Sequence, residues 1–261
     1  ISDWKRHYSQ VAVRPDWTDP TGLLGFVNSI SDPPSYRPAD TLNFLLEADR
    51  DRTRPYFLCL DEMNLARVEH YFAPFLSAME SPAVGLRIHG EPDTIDNVDP
   101  ILDWPNNLFI FGTVNMDEST HPFSDKVLDR AFTFEFWDVD LDQWDKKWRS
   151  TVATSILDPV TAALKKLYAA LFPARRHFGY RTADEVLHFC LANGEHGSFE
   201  ALLDAAILMK VLPRVRGDDS GPLGAALAET AKVSAAFPRT LNKVRQMQEG
   251  LANSGHARFW S

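Results

Sequence analysis

A chain of 261 residues, 44% hydrophobic and 24% charged, holds enough apolar material for one large packed domain or two modest ones, which excludes a disulfide-stapled miniprotein and a disordered tail. With 27 Lys+Arg against 36 Asp+Glu the formal net charge is −9, so no overall field attracts nucleic acid and any polyanion must be bound locally. No apolar run approaches the roughly 18 residues of a membrane span and no basic-then-apolar leader opens the chain, so the expectation is a soluble cytoplasmic protein that engages no membrane.

Residues 8–14 are partly β-branched and closed by Pro15, as in a strand that runs into a loop. The loop spans 16–38, rich in Pro, Gly, Asp and Ser around one apolar island, Leu23-Leu24-Gly25-Phe26; loops of this length usually carry function. Pro38-Ala39-Asp40 opens a helix, with Asp40 as cap and Leu42, Leu45 and Leu46 on one stripe. Tyr56-Phe57-Leu58-Cys59-Leu60 is continuously apolar, the pattern of a parallel strand buried on both faces, and Asp61 and Glu62 follow it directly. Val68, Phe72, Phe75, Leu76 and Met79 then return at helical spacing.

The stretch 86–98 alternates about Gly90-Glu91 as a hairpin would, and 105–107 form a turn. Residues 108–114 make a second apolar strand ending at Asn115, a short helix covers 125–128, and 131–136 form a third strand. Strands alternating with helices predict an α/β core over 1–137. From 138 to 261 no further strand is expected and helical stripes succeed one another: Leu157, Val160, Leu164, Leu167 and Leu171, then Phe199, Leu202, Leu203 and Ile207, then Leu241, Val244, Met247 and Leu251, ending near Gly255. This half reads as an all-α second domain.

Carboxylates at the C-terminal end of a buried parallel strand lie where open α/β sheets bind ligands. In nucleotide hydrolases the aspartate holds the water shell of magnesium and a neighbouring acid polarises the attacking water, so 56–62 read as a Walker B strand. Strands about 4.8 Å apart would let Asn115, at the end of the next strand, reach the phosphate or water that Glu62 addresses. Arg130, just before the third strand, stands where it could stabilise transition-state charge on a nucleotide of an adjacent subunit. Each feature has a plainer reading: strand-end acids facing solvent, a turn asparagine, a surface arginine.

The stretches Val13-Arg14-Pro15-Asp16-Trp17-Thr18-Asp19, Leu23-Leu24-Gly25, Phe57-Leu58-Cys59-Leu60-Asp61-Glu62-Met63-Asn64-Leu65-Ala66-Arg67, Asn107 through Asn115 and Leu128-Asp129-Arg130 resemble McrB-type AAA+ proteins, in family order. Phe178-Gly179-Tyr180-Arg181 and the ending Gly255-His256-Ala257-Arg258-Phe259-Trp260 are similar to that family's lid. The resemblance implies an AAA+ P-loop-type parallel sheet followed by a helical lid, assembling into a ring that hydrolyses ATP or GTP to move DNA or remodel partners. By position, Asp61 would hold Mg2+ through water, Glu62 would orient the attacking water, and Asn115 would sense the terminal phosphate. Arg130 would be the trans arginine finger, Arg181 the lid arginine, and Asn64 would tie the acidic strand to the neighbouring site. The family further implies a McrC-like nuclease partner, DNA contacted through that partner or a separate domain, and a role in restriction or phage defence.

Two departures bear on this. At the sensor the chain has Val114-Asn115-Met116-Asp117-Glu118-Ser119-Thr120, in which only the asparagine matches the GTP-preferring members, so ATP is at least as well supported as GTP. No Gly-x-x-x-x-Gly-Lys-Ser/Thr occurs in the 261 residues, so the phosphate cradle and its strand are expected upstream of Ile1, and this stretch alone should hydrolyse little. The alternative is a scaffold that keeps the AAA+ shape without hydrolysis. Cys59 and Cys190 read as reduced thiols, and His177, His188 and His196 as solvated or capping rather than metal-binding. The pairs Lys165-Lys166 and Arg175-Arg176 read as solvated helix faces, Trp137, Trp144 and Trp148 as packing residues, and Lys210, Arg214 and Arg216 as candidates for a subunit interface.

Overall fold

A computed structural model describes residues 4–115, 120–193, 197–219 and 221–260. The chain divides into two compact units, Ile1–Glu135 and Phe136–Ser261.

The first unit is mixed α/β. In chain order it contains β1 (Tyr8–Ala12), α1 (Thr21–Leu24), β2 (Gly25–Asn28), β3 (Ser35–Pro38), α2 (Asp40–Arg50), β4 (Tyr56–Asp61), α3 (Val68–Tyr71), α4 (Ala73–Glu80), β5 (Leu86–Arg87), β6 (Ile101–Leu102), β7 (Leu108–Gly112) and α5 (Asp125–Leu128). Strands β1, β4 and β7 form a three-stranded parallel sheet in that order, with Tyr8 opposite Phe57 and Phe57 opposite Phe109. Parallel neighbours need crossovers, and here these are α1 with α2, then α3 with α4. Their apolar stripes meet Tyr56, Leu58, Leu60 and Leu108 in one core that also holds Leu23, Leu42, Leu45, Tyr71 and Phe75.

Strand β4 is therefore not buried on both faces as its apolar run predicts. Both crossovers pack on one face, and the other presents Tyr8, Phe57, Phe109 and Phe111 at 38, 36, 49 and 55% exposure. Phe57 stacks on Phe109 with centroids 5.5 Å apart. The predicted third strand is a second correction. Residues 131–136 form no strand, and Phe132, Phe134 and Phe136 are 94, 82 and 99% exposed. A strand exists only through a neighbour's ladder, and among the described residues this segment has none.

Three smaller departures have local causes. The predicted loop 16–38 contains α1 and the β2–β3 hairpin; Gly25, which closes α1 and opens β2 opposite Pro38, lies at φ 94, where a Cβ would run into the Arg37 carbonyl. Chain reversal between β5 and β6 occurs at Asp96-Asn97, both with positive φ as a type I′ turn requires, and not at Gly90-Glu91. Asp40 is the first residue of α2, whose cap is Ala39, and the next helical stretch breaks at Phe72 into α3 and α4.

The second unit packs α6 (Leu141–Trp148), α7 (Thr154–Leu171), α8 (Tyr180–Ala192), α9 (Phe199–Lys210), α10 (Leu223–Val233) and α11 (Pro238–Ser254) around Leu157, Leu164, Leu187, Ile207, Leu227 and Val244. It is not wholly helical: β8 (Gly217–Asp218) and β9 (His256–Ala257) pair antiparallel just after Gly255, at φ 73, closes α11. Asp140 caps α6, its carboxylate accepting from the N–H groups of Asp142 and Gln143. Buried Asp204 on α9 caps α11 through space, accepting from Arg239 N at 2.8 Å and Thr240 N at 2.9 Å. Among the described residues no helix is long and apolar enough to cross a membrane.

Candidate functional site at the C-terminal edge of the parallel sheet

Strand β4 delivers Asp61 to the sheet edge, and the backbone then turns through Glu62 at φ 52, ψ 49. Such a left-handed non-glycine residue costs on the order of 1 kcal/mol and persists only where neighbours over-determine it. Thr113, just past β7, does so: its hydroxyl accepts from Glu62 N at 2.9 Å, its carbonyl accepts from Met63 N at 2.8 Å, and its own N–H donates to Leu60 O at 3.0 Å. From below, buried Tyr71 donates to Met63 O at 2.8 Å.

The side chains converge. Asp61 accepts at Oδ1 from Thr113 Oγ1 at 2.6 Å and at Oδ2 from Gln10 Nε2 at 3.0 Å. Asn115 Nδ2 donates to Glu62 Oε1 at 3.0 Å. Asn64, fully buried, donates from Nδ2 to Asn115 O at 3.0 Å, and its backbone carbonyl accepts from His121 N at 2.9 Å. Asn64 therefore fastens the turn after β4 to the chain after β7. Glu62 and Asn115 are exposed and Asp61 is half-buried, so two carboxylates and an amide stand within reach of a solvent-borne group. Residues 116–119 of the sensor stretch lie outside the described residues.

Arg130 follows α5 in the same unit but is engaged: Nη2 lies 2.7 Å from Glu80 Oε2 and Nη1 donates to Lys126 O at 2.6 Å. Reaching a neighbouring subunit would require it to leave both partners. Arg181 sits exposed in the first turn of α8, in the second unit.

Gln10 and Thr113 are the site residues that motif reading misses. The signal for Thr113 was its position two residues before Asn115, which in extended chain aims both side chains the same way. Gln10 is visible only through the parallel register that sets β1 beside β4.

Asp61 suits magnesium, a hard cation that takes one or two carboxylates and keeps several waters. Among the described residues there is no group of three or more His, Cys, Asp or Glu that could hold a metal by protein ligands alone. A nucleotide's phosphates need a nest of backbone N–H groups, and the sequence lacks the glycine-rich motif that makes one.

In the second unit the remaining motifs are structural. His177 is packed, not solvated: Nε2 is 3.0 Å from Trp137 O, and Trp137, Tyr168 and Phe172 surround its ring. His188 meets the edge of Trp148, and His196 lies outside the described residues. Trp144 and Trp148 donate their indole N–H groups to one oxygen of Asp184, at 2.7 and 3.0 Å. Lys165 pairs with Asp142, Arg176 donates to Arg216 O at 2.6 Å, and Lys210 pairs with Glu185 at 3.0 Å.

A family model described as a domain of unknown function, DUF8727, matches residues 138–256 of this chain, which lie within the helical unit. No curated protein matches it.

Proposed function

We propose that the chain is part of a McrB-type AAA+ nucleoside triphosphatase, hydrolysing ATP or GTP as a ring that moves DNA or remodels a partner in restriction or phage defence. What supports the reading most is the convergence of Asp61, Glu62 and Asn115 at the C-terminal edge of adjacent parallel strands, with Asn115 bonded to Glu62 at 3.0 Å. On this reading hydrolysis forms a bond from water oxygen to the terminal phosphorus as the bridging oxygen–phosphorus bond breaks. Glu62 orients that water and draws its proton, and Asn115 holds Glu62 while offering its amide to the phosphate edge. Asp61 holds the magnesium water shell, and the cation supplies charge neutralisation along the triphosphate.

The uncovered aromatic face of the sheet fits the same reading. A parallel sheet is ordinarily covered on both faces, and a strand–loop–helix bearing a phosphate cradle and paired with β7 would cover Phe57, Phe109 and Phe111. On this reading Arg130 would serve as the trans finger once released from Glu80, Arg181 as the lid arginine, and a McrC-like nuclease as the partner.

A second reading, an AAA+-shaped scaffold without hydrolysis, is favoured by one observation: Arg130 is tied to Glu80 within its own unit. Steady-state hydrolysis by the gene product expressed from its own start codon separates the two. The first reading predicts Mg2+-dependent release of phosphate from ATP or GTP that falls about 100-fold or more in Glu62→Gln. Absence of turnover, or turnover that Glu62→Gln leaves intact, contradicts it.

A further inference from the structure

We propose that Thr113 is a positioning residue that couples Asp61 to Glu62 through its hydroxyl, an inference that rests on the nucleotide-hydrolase reading of this edge. Its Oγ1 lies 2.6 Å from Asp61 Oδ1 and 2.9 Å from Glu62 N. A backbone N–H can only donate, so it takes a lone pair of the hydroxyl oxygen. The single hydroxyl proton is thereby committed to Asp61, and the direction of the chain Glu62 N–H to Thr113 O–H to Asp61 carboxylate is fixed. Among side chains of this size, the hydroxyl of serine or threonine makes both bonds with one oxygen.

The arrangement has a consequence for the reaction. Glu62 is the left-handed residue of the turn, and the orientation of its side chain follows from how its N–H is held. Charge drawn to Asp61 changes how strongly Asp61 accepts the hydroxyl proton, and hydrogen bonds in series adjust together. Thr113 thus links the state of the cation-holding carboxylate to the geometry of the water-orienting one. Its backbone contacts to Leu60 and Met63 involve no side-chain atom and would survive substitution by valine, alanine or serine, so the hydroxyl can be removed while the turn stays anchored. Gln10, on the other oxygen of Asp61, holds the carboxylate against rotation from the β1 side and, among the described residues, makes no hydrogen bond to Glu62 or its turn.

The test uses the gene product expressed from its own start codon, with four proteins assayed side by side: parent, Glu62→Gln, Thr113→Val and Thr113→Ser. Valine keeps the shape and loses the hydroxyl. The expected result for Thr113→Val is a fall in kcat of about 10- to 100-fold, smaller than loss of the base itself. KM for the nucleotide should stay within about threefold, because transition-state positioning and not nucleotide contact is lost, and the Mg2+ requirement should rise, because Asp61 loses the hydroxyl that orients it. Thr113→Ser should recover kcat to within about threefold of the parent, since it restores both bonds. Should Thr113→Val fail to fold by circular dichroism, Thr113→Ala carries the same expectation. A parent without turnover removes the nucleotide-hydrolase reading and this inference with it. A parent whose turnover Glu62→Gln abolishes but Thr113→Val leaves unchanged overturns the inference alone, as does a Thr113→Ser variant no more active than Thr113→Val.

Discussion

At the scale of single residues, Glu62 carries the strain of the site and Thr113 and Tyr71 hold it there. The left-handed backbone at Glu62 redirects the chain out of the sheet plane at the point where a ligand would approach, and Met63 and Asn64 are buried directly behind it. Asp61, Glu62 and Asn115 were legible in the sequence because each ends an apolar run, and the end of a run marks the sheet edge without knowledge of anything else. Gln10 was not, because its part depends on strand register; for Thr113 the spacing to Asn115 marks the shared face, while the direction of its hydroxyl bond is encoded by no spacing of residue types.

The two thiols differ in their surroundings. Cys59 is half-buried on the aromatic face of β4, whereas Cys190 is buried in α8 with its ionisation pushed up to about 11 by desolvation. A thiol with so high a pKa holds almost no thiolate at pH 8, and thiolate is the reactive form. The 261-residue chain should therefore react with one equivalent of Ellman's reagent when folded and two in denaturant, with Cys59→Ser abolishing the first. Two equivalents in the folded chain would contradict the burial of Cys190.

At the scale of elements, the helices were read more securely than the strands. A helix satisfies its own backbone, so stripes such as Leu157 to Leu171 specify α7 from sequence alone. A strand is completed by another segment, and the pattern at 131–136 alternates correctly yet makes no ladder among the described residues. The same dependence explains β4: its composition suits burial on two faces, and its crossovers cover one.

Caps made across space are likewise invisible in the sequence. Asp204, on α9, satisfies two of the N–H groups that open α11 and places a negative charge at that helix's positive end. Replacing it with alanine leaves those groups buried without their acceptor, so Asp204→Ala should destabilise the helical unit by roughly 2–3 kcal/mol, measured by urea unfolding of the chain. A loss within experimental error would show that water replaces the carboxylate.

At the scale of the whole molecule, the chain joins an acidic α/β unit to a nearly neutral helical one. Residues 1–135 carry 11 Lys+Arg against 22 Asp+Glu, a net −11, whereas residues 136–261 carry 16 against 14, a net +2. The field of the α/β unit therefore does not attract polyanions. The change from strand-like to helical periodicity near residue 138 lies close to the boundary between the two compact units at 135/136. The uncovered face was not readable, because coverage depends on where both crossovers pass.

The most direct measurement is a structure of the gene product, expressed from its own start codon, with Mg2+ and a non-hydrolysable ATP or GTP analogue. The predicted result is a terminal phosphate within hydrogen-bond distance of Asn115, with Asp61 on the water shell of the cation and Glu62 facing the space in line with the bridging oxygen. A triphosphate bound away from this edge, or no triphosphate bound at saturating concentration, would contradict it.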